Sequence, residues 1–177
     1  MRKLAMDELN RIDVDSFKAQ EKLPITVILD NVRSLHNVGS TFRTADGFAI
    51  ERIILCGITG TPPHREIEKT ALGATQSVDW EHYADIDQVI TQLKKENYQI
   101  LTVEQATEST ALNELSLVQK QKYALVFGNE VHGVSEEFMQ AADACIEIPQ
   151  FGTKHSLNVS VTIGIVLWHC IQELRLA

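Results

Sequence analysis

Cysteine is scarce in this 177-residue chain, and the three present, Cys56, Cys145 and Cys170, stand alone in apolar surroundings. They show no metal-ligand spacing and cannot form an even disulfide framework, so buried, reduced thiols are expected. No run of 18 apolar residues occurs, so no transmembrane helix is expected. Met1 to Gln20 mixes charges and lacks an apolar signal core, which argues against secretion and for a cytoplasmic location. There is no internal repeat, no linker and no low-complexity tract. The glycine-rich G-x-G-x-x-G loop of doubly wound dinucleotide-binding domains is missing after the first strand candidate, where Asn31 to Gly39 stands instead.

Apolar residues make up 44% of the chain, enough for one domain with a sizeable core. The net charge of −8 is awkward for a nucleic-acid partner, but it is unevenly spread. Asp79 to Glu114 carries eight acids against Lys94 and Lys95, whereas Met1 to Val78 has ten of each sign. Another face can therefore present Arg and Lys to phosphate.

Apolar runs at Ile25–Leu29, Arg52–Cys56, Tyr98–Val103, Tyr123–Phe127 and Ala144–Ile148 predict strands, with a shorter one over Ser77–Tyr83. Helices are predicted at Asn37–Phe48, Arg65–Leu72 and Asp85–Glu96, and after Ser135 as a cap. A long one over Ser156–Leu174 is apolar on most sides and is expected to be buried. The alternation, with strands lacking a polar face, predicts an α/β domain whose mostly parallel sheet is covered by helices on both faces. It spans 23–177, and 1–22 form an extension with a peripheral helix over Met6–Lys18.

Three clusters carry chemistry. The first runs Asn31-Val-Arg33-Ser-Leu-His-Asn37-Val-Gly39-Ser-Thr-Phe-Arg43. Gly39, in a first helical turn, would leave N–H groups free for an anion, and Arg33 and Arg43 can grip phosphate. The second is Phe127-Gly-Asn-Glu130-Val-His-Gly133-Val-Ser135, a strand end where Gly128 could admit a ligand ribose to the backbone. The third is Ile148-Pro-Gln-Phe-Gly152-Thr-Lys-His-Ser156-Leu-Asn158-Val-Ser160. Ser156 is the expected cap there, which leaves Asn158 and Ser160 in need of partners from a ligand or a facing subunit. Alone, the first also reads as a helix start with two surface arginines, and the second as an ordinary strand-to-helix turn.

Together and in this order, the clusters resemble the three motifs of the SpoU (TrmH-like) branch of the SPOUT methyltransferases, over about residues 25–175. The resemblance implies a C-terminal trefoil knot whose loops hold S-adenosylmethionine, a homodimer, and methylation of a ribose 2′-hydroxyl in tRNA or rRNA. It implies cofactor-binding positions at Thr102, Val103, Glu104, Gly128, Asn129, Ile148, Gln150, Ser156 and Leu157. Gln150 departs from the Met found there in many relatives. The catalytic arginine of the family falls on Arg43, with Asn37, Glu130, Ser156 and Asn158 shaping the site. Arg43 would act as a base or as an electrostatic stabiliser of the alkoxide. Guanidinium is a poor proton acceptor, which favours the second role. RNA contacts are expected at Arg33, Arg65, Lys69 and Lys154. A metal is not expected, because His36, His132 and His155 do not form one ligand set. Two other readings remain open: a non-catalytic RNA-binding module of the same fold, which a donor-binding assay separates, and a SPOUT enzyme methylating a base.

Overall fold

The computed structural model describes residues 1–9 and 12–176. Its frame is a seven-stranded, all-parallel sheet in the order β3-β2-β1-β6-β4-β7-β5. The strands are β1 (Leu23–Asp30), β2 (Ile50–Cys56), β3 (Asp79–Tyr83), β4 (Tyr98–Val103), β5 (Ser109–Ala111), β6 (Lys122–Phe127) and β7 (Ala144–Glu147). β1 and β6 lie centrally, which is why they read as unbroken apolar runs: both of their faces are covered. β5 has only three residues, Ser109-Thr-Ala111, too few for a period-two signal, and it escaped the sequence reading.

Two helical layers cover the sheet. On one face lie α1 (Val14–Ala19), α2 (Leu35–Gly47), α3 (Arg65–Ala71), α4 (Ala74–Ser77) and α7 (Val159–Ile171), around Val27, Leu29, Phe42, Ile53, Ile67 and Leu167. On the other lie α5 (Ile86–Lys95) and α6 (Glu136–Ala141), whose Val89, Leu93 and Phe138 meet Ile28, Ile54 and Ile100. The acidic Asp79–Glu114 stretch begins at β3, where Trp80 meets Phe42 of α2, and runs through α5, β4 and β5 to Leu112–Glu114 beside α7. Near the N-terminus a 3₁₀ turn, Met6–Leu9, is followed by α1, which buries Phe17; Asn10 and Arg11, inside the helix expected over Met6–Lys18, lie outside the described residues.

Caps set the helix starts. Ser34 Oγ accepts from the Asn37 N–H and starts α2 two residues before the predicted point. Asp85 caps α5. Ser135 occupies the cap position of α6, but its Oγ makes no cap bond; its backbone N–H donates instead to Asp30 Oδ2 at 2.6 Å. α7 begins at Val159 with Asn158 as cap, not at Ser156, because the Asn158 carboxamide accepts from the Ser160 and Val161 N–H groups.

α7 is also only partly buried. Ile163, Val166, Leu167, Cys170 and Ile171 enter the core, while Val161, Ile165 and Trp168 remain exposed. With the π-helical turn Gln172–Leu176 it forms an 18-residue helix, Val159–Leu176, long and apolar enough by composition to cross a membrane, against the expectation from run length. A third of that helix is buried, and the core stripe of Ile163, Val166, Leu167, Cys170 and Ile171 accounts for part of its apolarity. Burial pushes the Cys56 and Cys170 thiols up to about 12; Cys145 is half-buried, and its Sγ donates to the Glu104 carbonyl at 3.4 Å.

Gly39 does not offer N–H groups to an anion. It is buried where α2 crosses α3, and a Cβ there would stand 2.2 Å from the Ile67 carbonyl oxygen and 2.1 Å from Thr70 Oγ1. Backbone cannot step aside as a side chain can. Gly39→Ala is expected to destabilise the protein by about 2 kcal/mol through overpacking, read as a lower urea midpoint at unchanged slope.

Candidate functional site

Parallel strands leave their carboxyl ends on one rim, and ligands of such sheets sit there. Here the loops after β4, β6 and β7 enclose a cavity of about 440 Å³. Val103, Ile146, Ile148, Leu157 and Val159 supply apolar wall; Glu104, Glu130 and Glu147 supply three carboxylates. Eight of the nine positions expected to bind cofactor line it: Val103, Glu104, Gly128, Asn129, Ile148, Gln150, Ser156 and Leu157. Thr102 does not. Side chains alternate along a strand, so Thr102 points away from its neighbour Val103, is fully buried, and lies 3.5 Å from the Ala144 carbonyl.

A chain of hydrogen bonds joins the three sequence clusters. The Glu130 carboxylate accepts from the Arg33 and Ser34 N–H groups, each at 3.0 Å, and from Asn37 Nδ2 at 3.2 Å. Asn37 Oδ1 accepts from Asn158 Nδ2 at 3.1 Å, and Asn158 Oδ1 caps α7. Asn158 and Ser160 thus find partners within the chain, since Ser160 Oγ also donates to Asn158 Oδ1 at 2.6 Å. Asn129 supports the second cluster: its Nδ2 donates to the Asn31 carbonyl at 2.7 Å, and its Oδ1 accepts from the Val131 and His132 N–H groups.

Gly128 serves its own turn. A Cβ at this position would meet the Gly133 carbonyl carbon at 2.1 Å and the Val134 nitrogen at 2.2 Å, because the chain folds back through the Asn129–Gly133 bridge. Glu104 locks that turn from the β4 side, accepting from the Val134 N–H at 3.1 Å.

Of the five residues expected to shape catalysis, Glu130, Ser156 and Asn158 line the cavity, and Asn37 is bonded to two of them. Arg43 is not brought in; it stands exposed on α2, and among the described residues nothing hydrogen-bonds or ion-pairs with its guanidinium. Arg33, Arg65 and Lys154 are exposed as expected of RNA contacts. Lys69 is not a bare cation: its ammonium donates to Glu66 at 2.7 Å, and His36 approaches the same carboxylate at 3.0 Å. Together Lys69 and then His36 hold Glu66 below the usual carboxylate range. Gln105, His155 and Thr162 also line the cavity and were not among the expected site residues. Gln105 is one step beyond Glu104 at the same strand end, and Thr162 one helical turn beyond Asn158; those offsets were the available signals.

Partial burial raises the Glu130 pKa, but the N–H groups of Arg33, of Glu130 itself and of Ser34, with the Asn37 amide, outweigh it, and the carboxyl is held below 4.5. A group whose folded pKa is depressed stabilises fully above its unfolded value and loses that contribution as pH falls through the folded one. Glu130→Gln is therefore expected to be less stable than wild type at neutral pH, with the gap in urea midpoint closing as pH drops below 4.5.

Comparison with known proteins agrees with this architecture. Residues 24–168 match the SpoU rRNA methylase family. The 23S rRNA (guanosine-2′-O-)-methyltransferase RlmB of Vibrio parahaemolyticus is 30% identical over 171 residues, covering 96% of this chain and 67% of that protein. Among solved structures, the TrmH/SpoU tRNA modifying enzyme of A. aeolicus superposes with a TM-score of 0.78 at 29% identity, covering 90% of this chain and 79% of that one. An AdoMet-bound rRNA methyltransferase from Sinorhizobium meliloti gives 0.80 at 27%, covering 94% and 62%. The chain spans about two thirds of the length of the curated relatives it matches. With the match running through all three clusters, the chain belongs to the SpoU rRNA methylase family.

Proposed function

We propose that this protein transfers a methyl group from S-adenosylmethionine to a ribose 2′-hydroxyl of RNA, in the cytoplasm and as a homodimer. The observation that carries the reading is the rim cavity tied by Glu130, Asn37 and Asn158 to the α2 segment that bears Arg43. At about 440 Å³ it has the size of a small-ligand site. Ile148 and Leu157 offer apolar wall for an adenine, and Glu104, Glu130 and Glu147 offer negative charge to a cationic donor. Gly128, Asn129 and Gln150 complete the set that would hold it. When bound, the donor supplies an electrophilic methyl on a sulfonium.

The remaining work falls to the chain itself. Glu130 and Asn37 hold the start of α2 against the cavity wall, which positions the acceptor side. Arg43, permanently charged, would stabilise the alkoxide that develops as the 2′-hydroxyl loses its proton to solvent water and the oxygen takes the methyl from sulfur. Arg33, Arg65 and Lys154 stand exposed and available to phosphate. The RNA is a tRNA or rRNA, as for the relatives named above. We also propose that the last third of the chain is tied in the trefoil knot its family resemblance implies; β7, wedged between β4 and β5, supports this.

Homodimerisation is supported by the uncovered stripe of α7. Val161, Ile165 and Trp168 recur at helical spacing with exposures of 50, 39 and 48%, and Phe48, at the end of α2, packs its ring 6.2 Å from that of Trp168. A second copy seated there would lie beside the helix that carries Arg43.

Arg43→Ala is expected to lose at least 100-fold in methyl transfer, on the order of what removing one preorganised stabiliser costs, while calorimetric binding of S-adenosylhomocysteine persists. Turnover near wild type would remove Arg43 from the reaction; a wild type that binds RNA but not S-adenosylhomocysteine would leave a non-catalytic RNA-binding module. Trp168→Glu is expected to halve the mass measured by light scattering. A wild type that already scatters as a monomer contradicts the dimer.

A further inference from the structure

The segment 149–157 forms one wall of the cavity and is held to the rest of the protein by very little. Residues 151–157 are all exposed, Phe151 at 97%. Among the described residues, the segment's one hydrogen bond to the remainder is from Gln105 Nε2 to the His155 carbonyl, at 2.9 Å. Its two ends are fixed where β7 finishes at Glu147 and where the Asn158 cap begins α7.

Gln105 itself stands on a firm post. Its N–H donates to Glu104 Oε1 at 2.9 Å. The Glu104 N–H is bonded to the Ile146 carbonyl at 3.0 Å, and the Glu104 carboxylate holds the Val134 N–H. Both Gln105 and His155 line the cavity, so their bond spans it from the β4 side to the segment that closes it. A carboxamide suits this position, because its NH₂ donates without bringing a further charge to a site already ringed by three carboxylates.

We propose that Gln105 is a positioning residue that latches the 149–157 segment over the cavity and so sets how long the methyl donor and its product stay bound. The proposal rests on the methyl-donor reading above. With the latch made, the segment stays over the cavity that Ile148 and Leu157 line. With it broken, nine residues pivot on two fixed ends and open at low cost, since a weakly bonded exposed segment opens locally without global unfolding.

Two variants separate hydrogen bonding from packing. Gln105→Ala removes the side chain; Gln105→Glu keeps its shape but presents an acceptor to a carbonyl. Both are expected to bind S-adenosylhomocysteine about fivefold more weakly, through faster dissociation, as loss of one hydrogen bond implies. The donor KM should rise by a similar factor while kcat at saturating donor stays at or above wild type. Tryptic cleavage after the exposed Lys154 should be faster in the ligand-free variants, with cleavage elsewhere in the folded protein unchanged. Unaltered cleavage after Lys154, or faster cleavage with unaltered affinity, overturns the latch in a donor-binding protein. A wild type that takes up no S-adenosylhomocysteine overturns the methyl-donor reading instead, and the residence role falls with it.

Discussion

One carboxylate holds the site together. Glu130 receives the first free N–H groups of the α2 entry and the side chain of Asn37, and Asn37 passes the connection to the cap of α7. Residues 93 and 121 positions apart thereby share one hydrogen-bonded chain. Each member is bound at more than one point, so displacing any one strands the polar groups of the others. The opening turns of two helices and the turn after β6 are registered against each other by this chain rather than by apolar packing alone.

The sheet makes such registration possible. Because every strand is parallel, β1, β4, β6 and β7 deliver their following loops to one rim, where the backbone is free of ladder bonding and available to side chains. The same rim gathers carboxylates. Glu104 is used structurally, clamping the turn that Gly128 and Gly133 allow, and it also faces the cavity; packing and ligand complementarity are met by one group. Toward the opposite end of the strands Arg52 bonds to Glu81 and Glu96 and stacks near Tyr98, tying β2, β3 and the start of β4 together.

Where a local signal was strong, the chain could be read directly. Buried strands appear as apolar runs with sharp glycine or polar stops, and helix α5 as an amphipathic period with an Asp cap. Where two local signals competed, the reading went astray. Ser156 and Asn158 are both good caps two residues apart, and the choice fell to Asn158 because Asn37, far away in sequence, fixes its other amide atom. Gly39 has the position of an anion-binding residue, yet the crossing of α2 over α3 consumes its open side. Thr102 sits in the right loop register but on the wrong side of the strand. Lys69 looks like a free cation, but Glu66, three residues earlier on the same helix, pairs with it, a local signal that the sequence already held.

The amino-acid sequence alone determined the α/β class, most of the strands, and the three clusters from which the cavity is built, because apolar periodicity and turn chemistry are local properties that a short window contains. Only the tertiary structure decided which members of those clusters face the cavity, that Arg43 lies outside it within one chain, that α7 leaves a stripe uncovered, and that Gln105 reaches across to His155. Those outcomes depend on pairs of groups separated by tens of residues. Whether a donor, an acceptor or a Cβ fits is settled by the distance between them, and no window of sequence encodes that distance.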